Sequence, residues 1–310
     1  MTNLITECVK LENQTLELKD NKMEIRLIKK SEVKILRDFI DTFWKKNHIL
    51  ATKKEVLDWQ YYNGMSYNFV GGFVDGELKT ILGFIPKQHF DLKEKNHIWL
   101  AIWCKSVDCP KGLGVKCLDW LEAEYKPDIV SAIGINDNIE RLYLNRGWKS
   151  GILNHWYFVT PGNIAKFDNK EKIMNHEGKS MFYYGNRFFN NRFYQYHQNN
   201  GIIFRVADLG DYSFIVIVDM IPEAHLTGYG LKNLLKTYEC EHISCLNYGI
   251  PDSYFQSMGF QKKPKNLMLP IWTEPLDYSK TFIKFAYKSN SGERFVAWKG
   301  DADQDRINKI

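Results

Sequence analysis

Residues 98–148 constrain the fold of this chain more than any other stretch. They open with Ile98-Trp99-Leu100-Ala101-Ile102-Trp103-Cys104, an uncharged apolar run that reads as a strand buried on both faces. A polar loop ending in Gly112-Leu113-Gly114 follows, and a helix is predicted over 115–125. A second apolar strand, 129–135, ends at Asn136, and a short helix carrying Tyr143 is closed by Gly147-Trp148. Two buried strands joined by a helical crossover form a right-handed parallel βαβ unit. Glycines just ahead of a helix let backbone N–H groups approach an anion at the positive helix end.

The rest of the chain must accommodate that unit. Its 310 residues are enough for two domains, and 44% hydrophobic with 15% aromatic content supports substantial cores. Net charge is +5, from 42 basic and 37 acidic residues. That suits anionic small molecules and is too small and dispersed to argue for nucleic acid. The six cysteines form no CxxC pair and no His/Cys cluster with zinc spacing. They read as reduced thiols of a cytoplasmic protein without a metal. Residues 1–21 form a polar lead with no signal-peptide core, and no segment reaches the roughly 18 apolar residues needed for membrane insertion.

Upstream, 23–29 alternates like a strand, and Ser31 caps a helix with Val33, Leu36, Phe39, Ile40, Phe43 and Trp44 on its core face. Thr52 and Glu55 form a capping box for a second helix ending near Tyr61. Asp75-Gly76 marks a hairpin between strands 68–74 and 78–84. A last strand is predicted over 153–159. The fold class is α+β, a mixed central sheet flanked by helices. The glycine loop comes only after the fourth strand, which excludes a Rossmann order. No Gly-Lys-Ser/Thr follows Gly114, which excludes a Walker loop.

This order and these motifs resemble the GNAT acyltransferase superfamily. Its phosphate loop runs Gln/Arg-x-x-Gly-x-Gly/Ala, and here the stretch is Cys109-Pro110-Lys111-Gly112-Leu113-Gly114, with Cys109 in place of Gln or Arg. The family's Asn, Tyr seven residues on, and Gly-aromatic four beyond match Asn136, Tyr143 and Gly147-Trp148. The resemblance covers residues 22–160 and implies an acyl-CoA-binding catalytic domain. It implies cofactor contacts from Ile102, Trp103 and Cys104 on the fourth strand, from residues 109–114, and from Asn136 and Tyr143. The Cys104 backbone N–H would be the oxyanion donor and Tyr143 the acid that protonates the departing thiolate. Covalent chemistry at Cys104 is disfavoured, because no histidine base lies close in sequence. His97, Asp108, Asp219 and His225 are candidate bases by position alone.

Residues 161–200 form an aromatic, Asn-rich connecting segment, including Phe182-Tyr183-Tyr184 and Phe193-Tyr194-Gln195-Tyr196; it packs a linker or stacks a nucleotide base. From 201 the first pattern recurs in degraded form. Gly228 and Gly230 stand to Met220 as Gly112 and Gly114 stand to Cys104, and Phe255 precedes Gly259 as Tyr143 precedes Gly147. Residues 201–310 are therefore expected to be a second, degenerate copy that has lost the two initial helices and the tyrosine hydroxyl, and that contributes to the acceptor site. A final strand over 294–298 leads to Asp301-Ala302-Asp303-Gln304-Asp305, which lacks the glycine and distal Glu of an EF-hand.

That ending resembles tandem GNAT proteins that acylate nucleotide-linked amino sugars in surface-polysaccharide biosynthesis. The resemblance implies a small-molecule nucleotide-sugar acceptor, a dTDP-3-amino-3,6-dideoxyhexose, touched by Trp298, Asp301 and Asp303. It implies acetyl-CoA or 3-hydroxybutyryl-CoA as donor. A peptide or protein N-acyltransferase and a non-catalytic acyl-CoA sensor are the alternatives. An open acidic groove would point to the peptide acceptor, and CoA binding without turnover to the sensor.

Overall fold

The computed structural model describes residues 22–160, 172–173, 178–208, 210, 212–222, 224–264, 269 and 282–301. The expectations for the lead 1–21 and for Asp303 lie outside these residues, as does most of 161–177.

The first half begins with β1 (Met23–Lys29), α1 (Val33–Phe39), α2 (Ile49–Thr52), α3 (Lys54–Tyr61) and the hairpin β2 (Ser66–Val74) and β3 (Glu77–Pro86). It continues with β4 (His97–Lys105), α4 (Leu113–Tyr125), β5 (Ile129–Ile133), α5 (Asp137–Asn145) and β6 (Lys149–Ile152). Beyond come β7 (Asn154–Val159), β8 (Lys172–Ile173), α6 (Met181–Tyr184), β9 (His197–Asn199), β10 (Ile202–Asp208) and β11 (Ser213–Met220). The chain then forms β12 (His225–Leu226), α7 (Gly228–Thr237), β13 (His242–Tyr248), α8 (Asp252–Ser257), β14 (Gln261–Lys262), β15 (Lys284–Ser289) and β16 (Ala297–Trp298).

Two seven-stranded mixed sheets result. The first runs β1-β2-β3-β4-β5-β15-β6, and the second β14-β7-β13-β11-β10-β9 with β16 alongside β13. In each, one strand pair is parallel, β4 with β5 and β11 with β13, and a helix crosses between its members. The second copy expected from the glycine spacing is present. The same helix-ending turn recurs in both halves. Gly147 (φ 78°) and Gly259 (φ 91°) take left-handed conformations, and the N–H groups of Trp148 and Phe260 donate 3.1 Å bonds back to the carbonyls of Tyr143 and Phe255.

The sheets do not divide the chain at residue 160. The strand expected over 153–159 forms as β7 but pairs with β13 in the second sheet. Its place beside β5 and β6 is taken by β15, from the far end of the chain. Each half thus completes the other's sheet. Sequence reading missed β15, although Ile283-Lys284-Phe285-Ala286-Tyr287-Lys288 carries apolar residues at every second place.

The layers follow the burial pattern. α4 and α5 cover the outer face of the first sheet with Cys117, Leu118, Leu121 and Tyr143. α7 and α8 cover the outer face of the second with Leu231, Leu234, Leu235 and Phe255. Between the inner faces lies one continuous core that joins Leu36, Phe69 and Trp99 to Phe214, Val216 and Leu246. Tyr183, Tyr184 and Phe188 from the connecting segment are buried in it, so this part of the segment packs the halves together.

Three local expectations are corrected. Ser31 does not cap the helix expected after it but lies inside a 3-10 turn over Lys30–Glu32, and that helix runs into a π-type turn over Ile40–Trp44, where Lys45 N–H bonds to the Ile40 carbonyl at 3.0 Å. The wider turn breaks the 3.6-residue period, so Phe43 and Trp44 swing out to 38% and 47% exposure. Thr52 and Glu55 form no capping box, because the Thr52 hydroxyl turns back to the carbonyls of His48 and Ile49. The Asp75-Gly76 hairpin forms as expected, with both residues at positive φ.

Candidate active site

β4 and β5 start side by side and then part. They pair from His97 with Ile129 to Leu100 with Ala132, and no further. Residues 103–105 stay paired to β3 on their other side, beyond a bulge that sets Ala101 and Ile102 against Gly83. The result is a slot between the strand ends, with one edge of β4 unsatisfied. Which N–H groups face it follows from the alternation of an antiparallel ladder. Ser106 N–H bonds to the Lys79 carbonyl at 2.8 Å. Two residues back in the same register, Cys104 opposes Ile81, so its N–H points to β3. The N–H groups of Trp103 and Lys105 face the slot instead. The Cys104 N–H, expected to be the oxyanion donor, therefore points away from the slot and that of the neighbouring Trp103 points into it, a difference of one residue in register that sequence alone does not fix.

The glycine loop leads into α4 beside this slot. Gly112 is the N-terminal cap in a left-handed conformation (φ 86°), with no side chain bonded across the helix end. The first N–H groups that find carbonyls are those of Leu113 and Lys116, leaving those of Gly114 and Val115 without a partner among the described residues. Gly114 lies against Trp103, whose indole nitrogen would sit 3.0 Å from any Cβ placed there. Open N–H groups, a helix dipole and nearby Lys111 suit an anion. Pro110 N-terminal to the glycines has no N–H to offer, and the Cys109 thiol donates to the Pro110 carbonyl at 3.6 Å rather than outward.

Tyr143 reaches the same region from α5. Its ring stacks on Trp148 (centroids 4.2 Å apart, 16° between planes) and lies 6.1 Å from that of Trp103. The left-handed Gly147 makes this possible by folding Trp148 back under the tyrosine. The residue is 1% exposed, and its hydroxyl bonds to no described residue. Burial raises its pKa, so it stays protonated. Asn136 caps α5, its carboxamide oxygen accepting from the N–H groups of Asn138 and Ile139 at 3.0 Å. Only its amide NH₂ is left for a ligand. The Cys104 thiol is pushed up to about 12 by burial, which keeps it protonated at neutral pH.

Of the four candidate bases only Asp108 lies near the slot, just past the end of β4, and both its carboxylate oxygens are taken by Lys79 and Ser106. His97 sits at the opposite end of β4, bonded to Ser131 at 2.8 Å and held neutral by burial. Asp108 is pushed down to about 2 by Lys79 and Ser106. His225 lies in the small β8–β12 pair. Asp219 belongs to the second half, where it pairs with Lys179.

The expected acceptor contacts Trp298 and Asp301 are also in the second half. Trp298 is buried on the wall of a cavity of about 80 Å³ that includes Lys87, His97, Lys179 and Asp219. Asp301 is 1% exposed, accepts from the Trp298 N–H at 2.8 Å and pairs with Lys179 at 2.8 Å. Their polar groups are committed internally, at the end of the first sheet away from the slot. A separate groove of about 430 Å³ lies at the slot's end of the sheet, where β3 begins. Its floor is Phe39, Phe43, Phe73 and Leu78, and Glu32, Asp38 and Glu77 stand at its rim.

No helix among the described residues is long and apolar enough to cross a membrane. No protein-family model and no curated protein matches the sequence. Solved structures match its shape. A GCN5-related N-acetyltransferase from Anabaena variabilis ATCC 29413 aligns with a TM-score of 0.53 at 9% identity, over 86% of this chain and 73% of that one. A conserved protein from Enterococcus faecalis V583, described as a probable N-acyltransferase, aligns with a TM-score of 0.50 at 12% identity, over 87% and 73%. Identities this low speak for fold alone. With its two parallel strand pairs, crossover helices and recurring helix-end turn, the chain has the GNAT fold in tandem.

Proposed function

We propose that this protein is an acyl-CoA-dependent N-acyltransferase that works in its first half. The observation that carries the reading is the convergence, at one strand opening, of the uncapped start of α4, the free edge of β4 and the unpartnered Tyr143 hydroxyl. Each matches one need of thioester aminolysis. The N–H groups of Gly114 and Val115 hold the pyrophosphate. The N–H groups of Trp103 and Lys105 pair with the amide-bearing arm and polarise the acyl carbonyl. Tyr143 holds a proton on its hydroxyl for the leaving thiolate. The thioester supplies the activated acyl group. An acceptor amine that sheds its proton to water needs no protein base, which fits a slot whose nearest candidate, Asp108, is already paired with Lys79 and Ser106. A non-catalytic sensor would have no use for a proton donor held at this place.

The donor is acetyl-CoA or 3-hydroxybutyryl-CoA. For the acceptor, the resemblance at the chain's end favours a nucleotide-linked amino sugar such as a dTDP-3-amino-3,6-dideoxyhexose. A second reading, a peptide acceptor, has an observation of its own: the open groove has an apolar floor suited to a peptide side chain, its carboxylates being paired already with Arg26, Lys34 and Lys79. The test is CoA release with mass spectrometry of the product, offering both donors against amino-sugar nucleotides and short peptides. Turnover on a sugar amine establishes the first acceptor, and turnover on peptides alone the second. Tight CoA binding without turnover on either makes the protein a sensor, and no CoA binding refutes the assignment.

A further inference from the structure

The second half contains a slot of the same make as the first. β11 and β13 pair from Phe214 with His242 to Ile217 with Cys245 and then part, leaving residues 218–220 and 246–248 apart. This slot is filled by the chain itself. Ala297 and Trp298 pair with Tyr248 and Asn247 on the side of β13 that faces β11, since β7 takes Asn247 on the other side. The Lys299 N–H then bonds to the Leu246 carbonyl at 3.0 Å, and the Gly300 N–H to the Val218 carbonyl at 2.7 Å. One strand edge is thus bonded on each side.

The inserted segment is anchored along its length. The Gly300 carbonyl accepts from the Arg187 guanidinium at 2.7 Å, with Arg187 itself 3% exposed. Asp301 pairs with Lys179, which also pairs with Asp219 at the end of β11. A Cβ on Gly300 would meet the Val218 carbonyl oxygen at 2.5 Å, so only glycine fits there. The other features of the first site are closed off as well. The Thr227 hydroxyl accepts from the Gly230 N–H at 2.9 Å and so caps α7 where α4 is open. Phe255 stands where Tyr143 does, and Trp298 packs against it with ring centroids 6.5 Å apart.

We infer that residues 297–301 are the resident occupant of the second slot, lying where the acyl arm lies in the first, and that each chain therefore takes up a single acyl-CoA. The stoichiometry rests on the function proposed above; the self-occupied slot does not. The same length of chain supplies β15 to the first sheet and then, eight residues on, seals the second.

Two measurements on the full chain test this. Residue-resolved amide exchange is expected to find the Lys299 and Gly300 N–H groups at least about a hundredfold slower than in an unstructured peptide. In Gly300→Ala the protection at these two residues is lost, while that of β4 and β5 is kept. Equilibrium dialysis with acetyl-CoA, without acceptor, is expected to give one equivalent per chain. Fast exchange at Lys299 and Gly300 in the unaltered protein overturns the inference, as do two equivalents. Slow exchange with no acetyl-CoA bound upholds the occupied slot and refutes the acyl-CoA reading, so the two failures are told apart.

Discussion

Tyr143→Phe separates chemistry from packing. The substituted ring keeps its 4.2 Å stack on Trp148 and its place beside Trp103. The lost hydroxyl has no hydrogen-bond partner among the described residues, so its removal strands no buried donor or acceptor. Stability should therefore change by less than about 0.5 kcal/mol, since the usual cost of such a deletion is the group left unpaired. The rate should change much more. A positioned proton donor contributes roughly 10²–10⁴-fold, or about 2.7–5.4 kcal/mol at 1.36 kcal/mol per decade. In a CoA-release assay kcat should drop by that factor, with acetyl-CoA affinity within about twofold, because the phosphate grip proposed at the start of α4 lies on another element. Burial raises the tyrosine pKa above its ordinary value of 10.0, so the unaltered protein should show no loss of the proposed activity from this group on raising the pH towards 10. A kcat within about threefold of the unaltered enzyme would refute Tyr143 as the proton donor. A large fall in melting temperature would refute the reading of the hydroxyl as structurally idle.

Other consequences can be checked in the same preparations. Cys104→Ser should keep kcat within about threefold, because a thiol pushed up to about 12 is not a nucleophile at neutral pH; a hundredfold loss in the same assay would revive covalent catalysis. Lys179→Met should lower unfolding free energy in urea by about 3–5 kcal/mol, since it leaves Asp219 and Asp301 buried without their cation; a loss below about 1 kcal/mol would mean that the cluster holds little. Acid should destabilise the fold from about pH 6.5 downward. His155 is pushed down to about 3, His242 to about 4, and His97 well below its usual value, all by burial. The unfolded chain protonates these rings near 6.5 while the folded chain does not, so their contribution is whole above that pH. It is lost at about 1.4 kcal/mol per ring per pH unit until each folded pKa is passed. Equal urea midpoints at pH 7.5 and 5.5 would contradict this.

Much of the site's make-up was legible in the sequence because it depends on short-range rules. The apolar run of β4, the glycines before α4 and the Tyr143–Gly147–Trp148 spacing each encode a local conformation: a buried strand, an open helix start, a helix-end turn that folds an indole under a phenol ring. The recurrence of that turn at Phe255–Gly259–Phe260 made the second copy visible despite its different side chains. Legibility failed where a neighbour decided the outcome. Phe43 and Trp44 have core-like spacing, but the π-turn against β4 turns them outward. Asp301 looked like a ligand carboxylate, and a buried lysine from another segment claims it.

The sequence by itself determined the order of elements, the βαβ unit and the chemical groups gathered around it, since these follow from side-chain periodicity and backbone freedom over spans of a few residues. Only the tertiary structure decided which sheet each closing strand enters, which N–H groups of β4 face the slot, and that residues 297–301 occupy the matching slot in the second half. The physical reason is that an unsatisfied strand edge accepts any extended segment of suitable register. The choice among β7, β15 and β16 therefore rests on which segment the packed core and the Lys179 cluster bring within reach.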